Sequence, residues 1–504
     1  MGNGAVRGMA SESRKAIDET DSLSAIYRPT SNSELEFLNV AVNRLRCMDP
    51  KLSAAGVVTT GQVAILSGLL AALALALQLI WSGDQTAHLT VLILPFLMIL
   101  FVRVAAVFEL LRPIRRDAQV QHRMSDSELP RYSVLVPVVG ETEVASSLIE
   151  ALSALDYPSH KLEILFLTEE RDPETRHALV RGGLAPHMRI VTVPFGEPKT
   201  KPRALNFGLQ LCSGDFVAVF DAEDIPHPQQ LRQAVHRFEQ GGEALACVQA
   251  RLQIYNFDEN FLTGQFAFEY AALFQAILPA LERLGLPLPL AGTSNHFRRQ
   301  ALESAGAWDP FNVTEDADLG FRLARLGKAV AVLDSTTLEE APSSWRAWRG
   351  QRTRWLKGWM QTYLVHMRQP VVLFRQLGFK KFLGFQVLLG GMIFSALVHP
   401  WFYAAVLSRL AHGQPVLPFD GPIWLLCAVN IIVGYVTGIC LVALAARRNG
   451  LPLPMASAIL VPVYWMAISW ASYRAVYELY TRPHHWQKTP HRGRHETRAA
   501  IVAY

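Results

Sequence analysis

The 504-residue sequence predicts an α/β domain with a Rossmann-like, mostly parallel sheet, inserted between transmembrane α-helices. Half of the residues are hydrophobic and only 18% are charged, below the roughly 25% of soluble proteins. The apolar residues are concentrated in five long runs on either side of the central region 130–370. Within that region charged residues return and short apolar strands alternate with helical segments, which is the pattern of a parallel sheet with crossover helices.

Composition and motifs exclude several classes of protein. The net charge of +5 does not indicate a nucleic-acid-binding protein, and the mean hydropathy of +0.17 excludes a mainly disordered chain. The five cysteines show neither CxxC nor zinc-site spacing. Neither a GxGxxG nor a Walker A sequence is present, so a classical dinucleotide-binding fold and a P-loop enzyme are not supported.

The first 112 residues predict a cytoplasmic segment followed by a transmembrane hairpin. Within the segment 1–56, residues 33–46 suit either an amphipathic helix lying on the membrane or a solvated helix. The hairpin 57–112 contains the apolar runs 57–81 and 89–111, both long enough to span a bilayer. Basic residues flank this pair and are absent from its loop, so the positive-inside rule places both flanks in the cytoplasm.

The region 381–480 predicts transmembrane or re-entrant helices. Its apolar runs lie at 382–409, 423–446 and 455–478. Three complete crossings would place the basic tail, 481–504, outside the cytoplasm, against the positive-inside rule. We therefore expect a cytoplasmic tail and one run that does not cross. The last run is the best candidate, because its Trp and Tyr residues and Arg474 suit an interfacial or re-entrant segment.

Carboxylates follow the predicted strands of the central domain. The strands are expected at 132–138, 162–167, 189–195 and 215–224. Ligands of parallel sheets bind beyond the carboxyl ends of the strands. Acidic residues stand at these ends, namely Glu141, Glu169, Glu170, Asp221, Glu223 and Asp224. The last three form a cluster that predicts either a Mg²⁺ or Mn²⁺ site or a solvated turn.

A second acidic group begins a predicted helix at Thr314. Thr314 suits the N-cap, and Glu315 and Asp316 suit the first turn, so a well-capped helix would explain them. The functional alternative makes Asp316 a general base that removes a proton from an acceptor hydroxyl.

Two basic groups complete the candidate site. Trp and basic residues recur at helical spacing in the segment 343–380, which predicts interfacial amphipathic helices. Its Gln351, Arg352 and Arg354 would also suit a diphosphate, and Trp355 a sugar ring. The second group, 199–203 with Lys201, predicts either a phosphate contact or an exposed helix start.

The order and spacing of these groups resemble membrane-embedded family 2 glycosyltransferases of bacteria, the family of cellulose, hyaluronan and curdlan synthases. The resemblance covers about 130–490. It rests on the turn Pro137–Glu141, the pair Glu169-Glu170, the segment KTKPRALN, the cluster DAED, the literal Thr-Glu-Asp at 314–316 and the QxxRW motif from Gln351 to Trp355. The chain departs from the family where Gly140 replaces Asn and where glutamates replace an aspartate pair.

The resemblance implies a GT-A-like cytoplasmic domain over 130–342 that uses Mg²⁺ or Mn²⁺. Asp316, with Glu315, would be catalytic, and Trp355 and Thr314 would bind the acceptor. The metal would be held by Glu223, Asp224 and Asp221. The nucleotide sugar would contact Pro137, Glu141, Glu169, Glu170, Lys201, Asp221, Gln351, Arg352 and Arg354.

The implied function is an inverting, processive glycosyltransferase. It would polymerise the sugar of UDP-glucose or a UDP-N-acetylhexosamine into a β-linked exopolysaccharide and export it through its own helices. The expected location is the bacterial inner membrane, with the lipid bilayer, the nucleotide sugar and the growing polysaccharide as partners, export or regulatory subunits as candidates, and no nucleic acid. The alternatives are a transferase that adds one sugar to polyprenyl phosphate and a non-catalytic membrane export or receptor scaffold.

Overall fold

A computed structural model describes residues 26–27, 31–64, 67–68, 86–112, 124–413, 415, 422–452 and 455–486. Most of the predicted span 57–81 and all of the tail beyond residue 486 lie outside the described residues, so the predictions made for them stay predictions.

Nine described strands form one mixed sheet. They are β1 (Ile26–Tyr27), β2 (Tyr132–Val138), β3 (Leu162–Glu169), β4 (Met188–Val193), β5 (Phe216–Val219), β6 (Ile225–Pro226), β7 (Leu245–Ile254), β8 (Asn295–Arg298) and β9 (Ala329–Glu339). The strand order is β1-β4-β3-β2-β5-β8-β7-β9-β6. The five strands from β1 to β5 in this order pair in parallel, as the sequence predicts. Strand β8 is antiparallel to both of its neighbours, a feature the alternation of strands and helices did not indicate.

Fifteen α-helices are described. They are α1 (Ser31–Met48), α2 (Thr86–Leu110), α3 (Ala145–Ser153), α4 (Pro173–Arg181), α5 (Lys201–Leu209), α6 (Gln230–Gly241), α7 (Phe261–Ala272), α8 (Leu278–Arg283), α9 (Arg299–Ser304), α10 (Glu315–Arg325), α11 (Trp345–His366), α12 (Pro370–Phe385), α13 (Met392–Ala411), α14 (Pro422–Arg448) and α15 (Val461–Thr481). Short π-helical segments join α7 to α8 and α12 to α13.

The helix predicted at 33–46 lies within α1, which packs one face against the domain that contains the sheet. Ala41 and Leu45, one turn apart, are buried, and the ring of Phe37 meets Phe207 of α5 edge-on at 6.1 Å. The side-chain amide of Asn206 donates to the Ala41 carbonyl at 2.8 Å. The apolar face of α1 is therefore covered by α5, and α1 is part of the domain.

Four described helical stretches are long and apolar enough to cross a membrane. They are Ile93–Leu110, Pro370–Ala411, Leu425–Arg448 and Ala456–Thr481. Helices α2 and α14 lie side by side, and Arg448 at the end of α14 donates to the carbonyls of Glu109 and Leu110.

The last helix, α15, runs beside α11 over most of its length. Tyr464, near its start, accepts a hydrogen bond from Trp348, and Glu478, near its end, pairs with Lys357 at 3.4 Å. Beyond α15 the chain returns to the domain, where a ring nitrogen of His484 contacts the Phe311 carbonyl at 2.9 Å. This arrangement is compatible with an interfacial α15, which stays a prediction.

Candidate active site

A cavity of about 500 Å³ opens at the carboxyl ends of β2, β3 and β5. Its volume falls in the range of roughly 300–1,000 Å³ typical of small-molecule sites. Twelve of the residues singled out from the sequence line it: Pro137, Glu141, Glu169, Lys201, Asp221, Glu223, Thr314, Glu315, Asp316, Gln351, Arg354 and Trp355. The structure thus brings together side chains that are spread over more than 200 positions of the chain. We call this space the nucleotide cavity, after the ligand that the family resemblance predicts for it.

The acidic cluster forms a tight loop directly after β5. The backbone N–H of Asp221 donates to Asp224 Oδ2 at 2.7 Å, and the Thr293 hydroxyl donates to the same oxygen. Asp224 is thereby held beneath the loop, not among the lining residues, and its Oδ1 has no hydrogen-bond partner among the described residues. Lys201 forms an ion pair with Asp221 and donates to the Gly292 carbonyl at 2.7 Å.

A further carboxylate, Glu339, lies in the same cavity and was missed from the sequence. It is the last residue of β9, it is buried, and its Oε2 has no described hydrogen-bond partner. Burial and the charge of Asp224 raise its pKa well above the usual value. Burial and the charge of Asp221 do the same to the pKa of Glu223 and of Asp224. Placement at a strand end was the available signal for Glu339, but β9 was not predicted.

This set of oxygens fits a divalent cation shared with a substrate. Among the described residues no three His, Cys, Asp or Glu side chains converge on one point. A Mg²⁺ ion needs only one or two carboxylates when phosphate oxygens and water complete its shell. Glu223 and the unpartnered oxygen of Asp224 could supply these ligands, and a cation would offset the repulsion among the clustered carboxylates.

The predicted acidic pair at 169–170 is divided between the cavity and solvent. Glu169 lines the cavity, and one guanidinium nitrogen of the fully buried Arg203 contacts its two carboxylate oxygens at 2.7 and 2.6 Å. Glu170 is exposed, and its Oε2 accepts a hydrogen bond from the backbone of Phe195 at 3.0 Å. Glu169 is the last residue of β3, whereas Glu170 lies in the turn that follows, and only Glu169 lines the cavity.

Asp316 and Glu315 begin α10 at the inner wall of the cavity. Thr314 occupies the N-cap position, as predicted, but its hydroxyl makes no capping hydrogen bond. The backbone N–H of Ala317 donates to Asp316 Oδ1 at 2.8 Å. A methyl group added at Gly292 would lie 3.1 Å from Asp316 Oδ2, so this oxygen faces the chain opposite α10.

The two carboxyl groups of this pair ionise in a definite order. Burial raises the pKa of both, and for Glu315 the nearby charge of Asp316 contributes to a pKa of about 8. For Asp316 the Ala317 amide and the charges of Lys201 and Arg354 limit the rise. Because the charge of Asp316 raises the pKa of Glu315, Asp316 is the first of the two to lose its proton, and Glu315 keeps its proton to higher pH.

Helix α11 contributes three residues of its QxxRW motif to the cavity but not Arg352. Gln351, Arg354 and Trp355 line the cavity, and Arg354 lies close enough to lower the pKa of Glu315. Arg352 points to the opposite side of α11, where it pairs with Glu269 at 2.6 Å. Its guanidinium lies over four aromatic rings, those of Phe266, Trp348, Trp355 and Tyr464. Helical geometry separates neighbouring positions of the motif, so Arg352 is not placed to contact a diphosphate.

A second cavity, of about 590 Å³, lies between the apolar helices. Most of its wall is aliphatic or aromatic, from α2, α7, α13, α14 and α15. Thr314, Asp316 and Trp355 line both this helix cavity and the nucleotide cavity. The indole of Trp355 stacks on Tyr270 with a centroid distance of 6.4 Å. The side chain of Asp316 therefore stands where a polar and an apolar cavity meet.

Comparisons with known proteins show what this chain is similar to. Residues 130–358 match the family model described as glycosyltransferase like family 2. The chain is 31% identical over 319 residues to a beta-monoglucosyldiacylglycerol synthase of Trichormus variabilis, which covers 61% of this chain and 65% of the relative. A synthase of the same name from Synechocystis sp. is 30% identical over 269 residues, 52% of this chain and 55% of the relative. The chain thus spans less than two thirds of the length of these relatives.

A solved structure shows the same fold. A mannosyltransferase of Pyrobaculum calidifontis, solved with GDP-mannose and Mn²⁺, aligns with a TM-score of 0.52 and 18% identity over 79% of this chain and 98% of its own. The narrower resemblance to cellulose, hyaluronan and curdlan synthases stays a prediction. Residues 130–358 are thus similar to family 2 glycosyltransferases and lie in a domain of GT-A-like fold, and the described part of the chain has four helices long and apolar enough to cross a membrane.

Proposed function

We propose that the protein transfers a hexose from a nucleoside diphosphate sugar to a hydroxyl group of a membrane lipid. The observation that carries this proposal is the position of Asp316, Thr314 and Trp355 in the walls of both cavities. A charged, nucleotide-sized space and a largely apolar space meet at one carboxylate. An amphiphilic acceptor can place its hydroxyl at Asp316 while its apolar part occupies the helix cavity.

The chemistry follows from the ionisation of the pair at the start of α10. Asp316, as the charged member, accepts the proton of the acceptor hydroxyl. The freed oxygen bonds to the anomeric carbon from the side opposite the diphosphate, the bond from that carbon to the diphosphate oxygen breaks, and the configuration inverts. The bond's electron pair leaves with the nucleoside diphosphate. Arg354, in the wall of the nucleotide cavity, is placed to interact with this anion.

The acidic loop and its surroundings bind the donor. Glu223 and Asp224 would hold Mg²⁺ or Mn²⁺, which would neutralise part of the diphosphate charge. Lys201 fixes the orientation of Asp221 through their ion pair. The names of the relatives favour glucose as the transferred sugar, and UDP-glucose or a UDP-N-acetylhexosamine as the donor is proposed on the family resemblance alone.

A processive polysaccharide synthase is the second candidate. It is favoured by the aromatic residues of the helix cavity, because sugar rings bind aromatic faces well. These residues include Phe268, Tyr403, Tyr435 and Trp465. A growing chain would then pass from Asp316 between the helices.

The test incubates membranes that contain the protein with Mg²⁺ or Mn²⁺ and radiolabelled nucleotide sugars, and measures where the label is incorporated. Label in the lipid extract is expected, and label in polymer that lipid solvents cannot extract would instead establish the second candidate. Asp316→Asn should abolish incorporation while leaving donor binding nearly unchanged. The matched control is Asp334→Asn, because Asp334 is exposed and pairs with Arg251 outside both cavities. Full activity of Asp316→Asn would contradict the assignment of the base.

A further inference from the structure

The helix cavity contains a charged residue that the proposed chemistry does not use. Arg103, on α2, lines this cavity. One of its terminal nitrogens donates to the Gly434 carbonyl of α14 at 3.2 Å, and the guanidinium lies 4.7 Å from the centre of the Trp465 ring. No described carboxylate forms an ion pair with it. A guanidinium has five N–H donors, so most of its hydrogen-bonding capacity is directed at something other than the described protein.

A guanidinium without a counter-ion costs free energy when it lies deep between apolar helices. Arg448 donates to the carbonyls of Glu109 and Leu110, so these ends of α14 and α2 lie at one level. An α-helix rises about 1.5 Å per residue. Along the axis of α2, Arg103 is therefore about 10 Å from that level, and along the axis of α14, Gly434 is about 21 Å from it. Helices α2 and α14 are long and apolar enough to span a hydrocarbon layer about 30 Å thick, and in such a layer the guanidinium would lie well inside. Charged groups at such depth face cavities and have partners, and they mark functional sites.

The described polar side chains beside Arg103 carry phenol, imidazole and amide groups and no carboxylate. The Tyr435 hydroxyl contacts a ring nitrogen of His399 at 2.9 Å and the Tyr403 hydroxyl at 2.6 Å. These three residues line the cavity with Arg103, as does Asn430. The carboxylate of Glu269 in the same cavity is already engaged by Arg352 and by the Tyr464 hydroxyl. The patch as a whole carries a positive charge in a predominantly apolar space.

We infer that the lipid in the helix cavity is anionic and that its phosphate or carboxylate group binds Arg103. Charge complementarity carries the inference, because an anion would supply the counter-charge and the acceptor oxygens that Arg103 lacks. The apolar wall would hold the rest of the molecule. Binding of an anionic lipid at Arg103 does not depend on the proposed function. Only the statement that this lipid is the sugar acceptor rests on the proposed function. The inference predicts that a hydroxyl-bearing anionic lipid is preferred over diacylglycerol.

The rival explanation is structural: Arg103 would only join α2 to α14 through the Gly434 carbonyl. The two explanations differ in the variants they tolerate. Arg103→Lys keeps the charge, whereas Arg103→Gln keeps a donor for the carbonyl but removes the charge. Arg112→Gln is the matched control, because Arg112 follows the same helix, is half exposed and does not line the cavity.

The experiment measures binding of phosphatidylglycerol and of diacylglycerol to the purified full chain by native mass spectrometry. The free energy of a hydrogen-bonded charge pair should lower the dissociation constant of the anionic lipid by about tenfold relative to diacylglycerol. Arg103→Gln should remove this preference, while Arg103→Lys and Arg112→Gln should retain it. Nucleotide binding by each variant checks that the domain is folded.

Equal binding of the two lipids to the wild-type protein would overturn the inference without any variant. Retention of the preference by Arg103→Gln would overturn it as well. Sugar transfer is measured separately on the same two lipids. Transfer to diacylglycerol alone would leave the proposed function intact and refute the anionic acceptor. Arg103-dependent binding without transfer to any lipid would instead refute the proposed function.

Discussion

The contact between Gly358 and Thr314 predicts that one added methyl group will disturb the catalytic centre. Gly358, in α11, packs directly on Thr314. A Cβ atom at Gly358 would lie 2.8 Å from the Cβ of Thr314 and 2.6 Å from its Cγ2, whereas ordinary contact begins at 3.4 Å. Rotation about χ1 cannot move the Cβ of Thr314, so in Gly358→Ala the two backbones must separate by about 0.6 Å.

This displacement acts on the residues next to Thr314, which are Glu315 and Asp316. A misplacement of about 1 Å can cost roughly a hundredfold in rate, so a shift of 0.6 Å should lower kcat by about tenfold or more. Overpacking costs about 1–3 kcal/mol, partly offset by the gain of about 1 kcal/mol when alanine replaces glycine in a helix. Thermal unfolding should therefore change little while turnover falls.

The assay combines initial rates of sugar transfer with calorimetric binding of the donor and thermal unfolding. The matched control is Gly61→Ala, because an added Cβ there meets no atom within 4 Å and Gly61 lines neither cavity. That variant should keep full activity. If Gly358→Ala were as active as the wild-type protein, the packing of α11 on Thr314 would not hold Asp316 in its working position.

Two further predictions concern charge. Because the pKa of Asp316 is raised and its carboxylate is the form that accepts a proton, kcat should fall as the pH is lowered through a value above the usual 3.8 of aspartate. Glu315→Gln should leave this acidic limb in place, because the charge of Glu315 is not among the causes of the shift, and a displaced limb would contradict the order of ionisation. Arg203→Met leaves Glu169 without its counter-charge. Since Glu169 keeps 20% exposure, the variant should lose about 2 kcal/mol of unfolding free energy, less than the 3–5 kcal/mol of fully buried pairs, and should bind the donor less tightly. Unchanged denaturant unfolding and unchanged donor affinity would refute this.

The parallel half of the sheet could be predicted because its strands are local signals. Continuous apolar runs such as 132–138 and 162–167 are buried on both faces and end at polar residues, and the structure places strands there. The same reasoning located Asp221, Glu223 and Asp316, because strand ends and helix starts at one sheet edge meet in space. The antiparallel β8 and the long β7 and β9 alternate less clearly and were not identified.

The other differences between the structure and the prediction from sequence depend on contacts between distant parts of the chain. Arg352 and Arg354 are two residues apart, and only the packing of α11 against Glu269 and the aromatic rings determines which of them faces the nucleotide cavity. Glu339 joined the site through a strand pairing with β7 that the local sequence does not specify. The apolar face of α1 was recognisable, but its partner, α5, lies about 160 residues away.

The docking of α1 on α5 has a consequence for the order in which the protein is made. The sheet domain is built from segments that lie before and after the apolar helix α2 in the sequence. It therefore cannot fold completely from one continuous segment as that segment leaves the ribosome. Domains usually fold as units during synthesis, N-terminal part first. Here α1 emerges long before its binding surface, and must wait until α2, β2 to β4 and then α5 have been synthesised. A fragment that begins after α2 would leave the α1-binding face of α5 uncovered and would be expected to aggregate. The folding unit therefore includes α1 as well as the central region.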